Sequence, residues 1–84
     1  MYQIIFDEKA IEFLEKLQKD IKTRIYNKII STKENPFHYF IRLEDRTEYK
    51  LRVGDYRVIA DIDKAEIKIL ILQIGHRKNI YQKI

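Results

Sequence analysis

The chain has 84 residues without cysteine, which excludes a disulfide framework and a thiolate metal site and fits a cytoplasmic location. With 45% hydrophobic and 36% charged residues, it is expected to form one domain, residues 1–84, with a small core. The net charge of +4 hints at an anionic partner, while the absence of a signal peptide and of any long apolar run predicts no membrane association.

The N-terminal half predicts a strand followed by a helical hairpin. Residues 2–6 form a short apolar strand, and Asp7 is a favourable N-cap for a helix that begins after it. Apolar residues then recur at four- and three-residue steps, the stripe of an amphipathic helix, at Ala10, Leu14, Leu17, Ile21 and Ile25. Residues 18–20 interrupt this stripe and Asp20 can cap a new helix, so two helices are predicted. The second should end near residues 35–36, because Pro36 disfavours helix in the residue before it.

The C-terminal half predicts three strands that form a meander. After an aromatic-rich connection at residues 37–47, strands are expected at 48–53, 56–62 and 66–74, with a turn at 63–65 and a tail at 75–84. The order β-α-α-β-β-β predicts an α+β fold, in which a small, mostly antiparallel four-stranded sheet packs against the helical hairpin.

The first predicted hairpin carries cations on one face. Gly54 and Asp55 form a two-residue loop, which sets the register as Val53 opposite Tyr56, Arg52 opposite Arg57 and Lys50 opposite Ile59. Like charges opposite each other destabilise a sheet. A solvated face that protects a sheet edge is one explanation of these cations. The other is a phosphate site with an aromatic platform, to which the tail adds His76, Arg77, Lys78 and Tyr81.

Two segments resemble the RelE branch of the RelE/ParE toxin superfamily: YKLRVGDYRV at residues 49–58 and GHRKNIY at residues 75–81. The resemblance implies the toxin of a type II toxin–antitoxin pair, which cleaves mRNA in the ribosomal A site. It also implies a RelB-like antitoxin as partner, with oligomers formed only through that complex. By position, it implies the catalytic residues Lys50, Arg57, Arg77 and Tyr81, with Arg52 at a further basic strand position. RNA binding is predicted for Arg52, His76 and Lys78, the other basic residues of this surface. Glu48 stands where the best-known relatives have another lysine.

The chemistry that these residues permit needs neither metal nor cofactor, because the 2′-hydroxyl of RNA can itself attack the adjacent phosphate. Cations then stabilise the charge of the transition state, and a further group must move protons. Glu48, predicted on the same strand face as Lys50, is a candidate acid or base. His76 is another, although a phosphate contact would also explain it, and His38 is expected to be structural. The spacing of the histidines and acids predicts no metal site.

Two other functions remain open from the sequence. A ParE-like toxin of the same fold would inhibit a DNA topoisomerase without cutting nucleic acid. A catalytically inactive RNA- or partner-binding domain is the second alternative, and Glu48 in place of lysine is its basis.

Overall fold

The computed structural model describes residues 1–80, which form five strands and three helices. In chain order they are β1 (Gln3–Phe6), α1 (Glu8–Glu15), α2 (Lys19–Ser31), α3 (Pro36–Tyr39), β2 (Ile41–Arg42), β3 (Tyr49–Val53), β4 (Tyr56–Asp63) and β5 (Lys68–His76). The predicted α+β class is confirmed. The sheet has five strands instead of four, because the predicted connection at 37–47 contains α3 and the short strand β2.

The two long helices form the predicted hairpin, with one correction to their caps. The Asp7 side chain accepts a hydrogen bond from the Lys9 amide at 3.2 Å, which confirms it as the N-cap of α1. Helix α2 begins two residues earlier than predicted, with Gln18 instead of Asp20 at the N-cap position. Asp20 therefore lies inside the first turn, where a carboxylate favours the positive end of the helix dipole.

Helix α2 also ends earlier than predicted. Thr32 is its C-cap, and the Thr32 hydroxyl donates to the carbonyl oxygen of Ile29 at 2.6 Å. Pro36 does not simply stop this helix. It opens α3 as the first helical residue, a position where the missing N–H of proline costs nothing.

The strand order is β1-β5-β4-β3-β2, with β1 parallel to β5 and every other pair antiparallel. The predicted hairpin register is confirmed, including Arg52 opposite Arg57. The next turn is longer than predicted. The Asp63 carboxylate accepts from the amides of Ala65 and Glu66, and Ile67 adopts a φ of 56°, so β5 begins at Lys68 and continues to His76.

The helices cover one face of the sheet and enclose the main core, whose buried members are Ala10, Leu14, Ile25, Ile29, Phe40, Leu51, Val53, Val58, Ala60, Ile69, Ile71 and Ile74. Ile59 and Ile80 are also buried but lie outside this cluster. The register places Ile59 on the opposite face, together with Arg57 and the strand position of Gly75.

Ile80 packs directly over Gly75, because a Cβ added at Gly75 would lie 2.8 Å from Ile80 Cδ1. The chain after β5 therefore returns across the sheet face that carries the cations. No helix in the described part of the chain is long and apolar enough to cross a membrane.

Candidate functional site

A cleft of about 580 Å³ lies at the cationic face, where α2 and α3 approach β3 and β4. Its lining residues are Lys28, His38, Tyr39, Ile41, Lys50, Leu51, Arg52 and Arg57. Three of the predicted site residues, Lys50, Arg52 and Arg57, thus meet in one place. No acidic residue belongs to this lining within residues 1–80, so the cleft presents positive charge that attracts anions.

Arg57 is held rigidly beside the turn that closes its own hairpin. Its Nη1 donates to the carbonyl oxygens of Gly54 at 3.0 Å and Tyr56 at 2.9 Å. The half-buried guanidinium is therefore oriented before any ligand arrives, and neither Nε nor Nη2 makes a hydrogen bond to another described residue. These groups can grip a phosphate in the planar fork geometry of arginine.

Arg77 is anchored to the same turn through its backbone. The Arg77 amide donates to the carbonyl oxygen of Asp55 at 2.8 Å. Its side chain is about half exposed, and Nε lies 4.0 Å from the Asp55 carboxylate, a contact that water screens. Arg57 and Arg77 are thus both hydrogen-bonded to the turn at Gly54 and Asp55, one from β4 and the other from the end of β5.

His76 does not join the cleft. Because it is paired with Tyr56 in the sheet, its side chain projects from the face that the helices cover. The His76 and Tyr56 rings lie 5.5 Å apart, and Tyr56 in turn contacts Phe13 of α1. His76 Nδ1 accepts from the amide of Lys78 at 3.2 Å, and Lys78 itself is exposed. RNA binding by His76 and Lys78 stays a prediction.

Glu48 also lies outside the lining of the cleft. Its carboxylate pairs with Arg46 at 3.3 Å, and it lines a separate depression together with Arg42. Its role as an acid or base stays a prediction. Tyr81 lies outside the described residues, directly after the buried Ile80.

Sequence reasoning missed the wall of the cleft that α2 and α3 provide. His38, expected to be structural, is exposed and lines the cleft beside Tyr39, with the two rings 5.0 Å apart. Lys28 Nζ lies 5.1 Å from the centre of the Tyr39 ring, a cation–π distance that steadies both side chains. The pair Asn35-Pro36 was the available signal, since proline is frequent at the first position of a helix.

Within the described residues, no three His, Asp or Glu side chains come together in a group that could hold a metal ion.

A family model described as the ParE toxin of the type II toxin–antitoxin system parDE matches residues 4–81. No curated protein matches the chain. Among solved structures, a chain of the RelBE2 toxin–antitoxin complex from Mycobacterium tuberculosis superposes with a TM-score of 0.80 and 25% identity, covering 90% of this chain and 98% of that chain. A chain of the archaeal RelE–RelB complex from Pyrococcus horikoshii OT3 superposes with a TM-score of 0.79 and 25% identity, covering 93% of this chain and 97% of that chain. The isolated RelE toxin of E. coli superposes with a TM-score of 0.75 and 20% identity, covering 99% of this chain and 94% of that chain. At this identity the likeness shows the shared fold alone.

Proposed function

Because this chain belongs to the ParE toxin family of type II toxin–antitoxin systems and has the fold of RelE toxins, we propose that it is a RelE-type endoribonuclease. It acts in the cytoplasm on mRNA in the ribosomal A site, without a metal ion. The observation that carries the proposal is the acid-free cleft where Lys50, Arg52 and Arg57 meet two aromatic side chains. A cationic groove with stacking rings is the usual composition of a site for single-stranded nucleic acid.

Arg57 and Lys50 stabilise the transition state in this proposal. The 2′-oxygen attacks phosphorus in line, and negative charge builds on the phosphoryl oxygens. Arg57 is preorganised by the carbonyl oxygens of Gly54 and Tyr56, so its Nε and Nη2 need little reorganisation to bind that charge. One such donor typically contributes about 3–4 kcal/mol to transition-state stabilisation. Arg77 adds a further cation next to the same turn.

His38 is the proton acceptor that the cleft itself offers. Imidazole is the side chain most often used for proton transfer near neutral pH. His38 lines the cleft with Lys50 and Arg57, whereas the Glu48 carboxylate is paired with Arg46 and the His76 ring packs on Tyr56. Tyr39 is the stacking surface for a base, and Tyr81 either stacks as well or donates the proton that the leaving 5′-oxygen takes.

A RelB-like antitoxin is the partner in this proposal, and the toxin forms oligomers only through it. The similar structures from M. tuberculosis and P. horikoshii are both toxin–antitoxin complexes. An apolar groove of about 370 Å³ between α1 and α2, with Ile11, Leu14 and Tyr26 in its lining, suits the apolar face of an amphipathic helix. Ile11 and Tyr26 are 43% and 48% exposed, so the groove presents apolar surface to a partner.

One observation favours a second candidate, the inhibition of a DNA topoisomerase: the matching family model carries the ParE description. The two candidates differ in their products. Primer extension on mRNA from cells that express the chain should give discrete, codon-phased cuts if the toxin is a ribonuclease. Intact mRNA together with DNA damage would instead support the ParE-like activity and overturn the proposal.

The chemistry is tested with purified toxin and programmed ribosomes by identifying the chemical groups at the ends of the cleaved mRNA. Attack by the 2′-hydroxyl must leave a 2′,3′-cyclic phosphate, or the 3′-phosphate to which it opens, and a 5′-hydroxyl. An mRNA with a 2′-deoxy residue at the cut site should bind comparably, because phosphates dominate affinity, and stay uncut. Cleavage that leaves a 5′-phosphate and a 3′-hydroxyl would refute this mechanism.

A further inference from the structure

A second polar groove, of about 710 Å³, runs between α2 and the edge of β3. It exists because β2 pairs only with Tyr49 and Lys50, so the rest of β3 has no strand beyond it. Its lining residues are Asp20, Thr23, Arg24, Asn27, Lys28, Ser31, Arg52, Val53 and Gly54.

The groove adjoins the cleft, because Lys28 and Arg52 line both. A single RNA strand that enters the cleft beside Arg57 can therefore continue past Arg52 into the groove and stay on a positively charged surface.

Arg24 is the cation that belongs to the groove alone. Its Nη2 would lie 3.1 Å from a Cβ added at Gly54, so the guanidinium packs against the same turn that orients Arg57. Lys28 follows Arg24 by four residues, about 6 Å along the helix. The lining of the groove thus contains three cations, Arg24, Lys28 and Arg52. Its one acid, Asp20, lies at the N-terminal end of α2. The remaining polar lining residues from α2 are neutral and can hydrogen-bond to sugar and phosphate oxygens.

We propose that this groove binds the sugar–phosphate backbone of single-stranded RNA adjacent to the segment in the cleft, with Arg24 contacting one phosphate and Lys28 another. The inference rests on the proposed function and extends the bound RNA beyond the cleft. These contacts are to the sugar–phosphate backbone of the RNA, so they raise its affinity equally for all base sequences. They take no part in the chemical step.

The test uses the full chain and two single-stranded RNAs labelled for anisotropy, one of four and one of twelve nucleotides. Only the longer RNA can reach beyond the cleft. Arg24→Gln should weaken binding of the twelve-nucleotide RNA and leave the four-nucleotide RNA unaffected. The slope of log affinity against log salt should become shallower by about 0.7, the value for one lost phosphate contact on a single strand.

Lys22→Gln is the matched control, because Lys22 lies on the same helix but lines the apolar groove on the α1 side. It removes the same charge and should leave both affinities and the salt slope unchanged. Arg24→Lys should largely restore binding, which separates loss of the contact from loss of the fold. Equal effects of the Arg24 and Lys22 variants would reduce the effect to general charge and overturn the inference, as would an unchanged affinity in Arg24→Gln.

Cleavage separates this inference from the proposed function. Codon-phased cleavage by the unaltered chain, combined with unchanged RNA binding in Arg24→Gln, would refute the groove alone. An unaltered chain that neither cuts mRNA nor binds RNA would refute both.

Discussion

The contact between Gly75 and Ile80 should be measurable as a coupling between two small substitutions. Gly75→Ala adds a methyl group that would lie 2.8 Å from Ile80 Cδ1 and 3.3 Å from Ile80 Cβ. Ile80 is 1% exposed, so it has little room to move away. Ile80→Val removes Cδ1, the atom in the closest contact, and leaves space for the added methyl group.

The expected magnitudes follow from this geometry. Overpacking of a tight site costs about 1–3 kcal/mol, whereas replacing a glycine of ordinary extended backbone gains about 0.4–1 kcal/mol through the unfolded state. Gly75→Ala should therefore lower the free energy of unfolding by about 0.5–2 kcal/mol, with Tm falling about 4–8 °C for each kcal/mol. Ile80→Val alone should cost about 0.5–1.5 kcal/mol.

The double variant is the informative measurement. Its free energy of unfolding in urea should exceed the additive expectation by about 1 kcal/mol, because the alanine methyl group fills the space that Cδ1 leaves. Additivity within about 0.3 kcal/mol would mean that the two side chains do not meet as described. Below the unfolding transition, Gly75→Ala should also slow mRNA cleavage, since Ile80 immediately precedes Tyr81 in the sequence.

Four further predictions concern the site and the partner. Arg57→Lys should lower the single-turnover cleavage rate about 10²-fold or more with little change in RNA affinity, because lysine lacks the planar fork. Arg77→Ala should also lower the single-turnover cleavage rate about 10²-fold. Its unfolding in urea should be unchanged because the side chain is exposed, and loss of the fold would assign Arg77 a structural role instead. His38→Ala should lower the single-turnover rate about 10²-fold with little change in RNA affinity, and an unchanged rate would exclude it as the proton acceptor. Ile11→Glu should weaken co-purification with the product of the adjacent open reading frame while cleavage persists, and undiminished co-purification would place the antitoxin elsewhere.

The hairpin that carries the cations was predictable because loop length fixes register. Only two residues separate the strands at Gly54 and Asp55, and Gly54 adopts a φ of 59°, which glycine tolerates best. Once that loop is recognised, Arg52 must lie opposite Arg57. The grouping of three cations on one face follows from local rules alone.

The face of His76 was not predictable because it depends on where β5 ends. Ending the strand at residue 74 leaves the side chains of the tail without a defined direction. The strand in fact continues to His76, and the period of two then puts this residue on the same side as the buried Ile74. Because the predicted strand ended two residues too early, His76 was expected beside the cations, whereas its side chain lies on the other face of the sheet.

The helical wall of the cleft escaped prediction for a different reason. Helix α3 has four residues and β2 has two, so neither is long enough to show an apolar period. The sequence marks Pro36 as a stop for α2 as readily as a start for α3. Only the tertiary structure shows that α3 brings His38 and Tyr39 to the side of Lys50 and Arg57.

The opposed arginines show how such a cationic site can be kept in a stable sheet. Facing like charges cost a strand pair a few tenths of a kcal/mol or more. Two hydrogen bonds from Arg57 to the hairpin carbonyl oxygens contribute about 1 kcal/mol each, which offsets that cost without an acid. Arg52 stays exposed and lines both the cleft and the polar groove beside it. A carboxylate between the two would stabilise the free protein further, yet it would compete with every phosphate that enters. Backbone carbonyl oxygens orient the guanidinium while leaving its positive charge uncompensated, and that is the condition a phosphate-binding cleft requires.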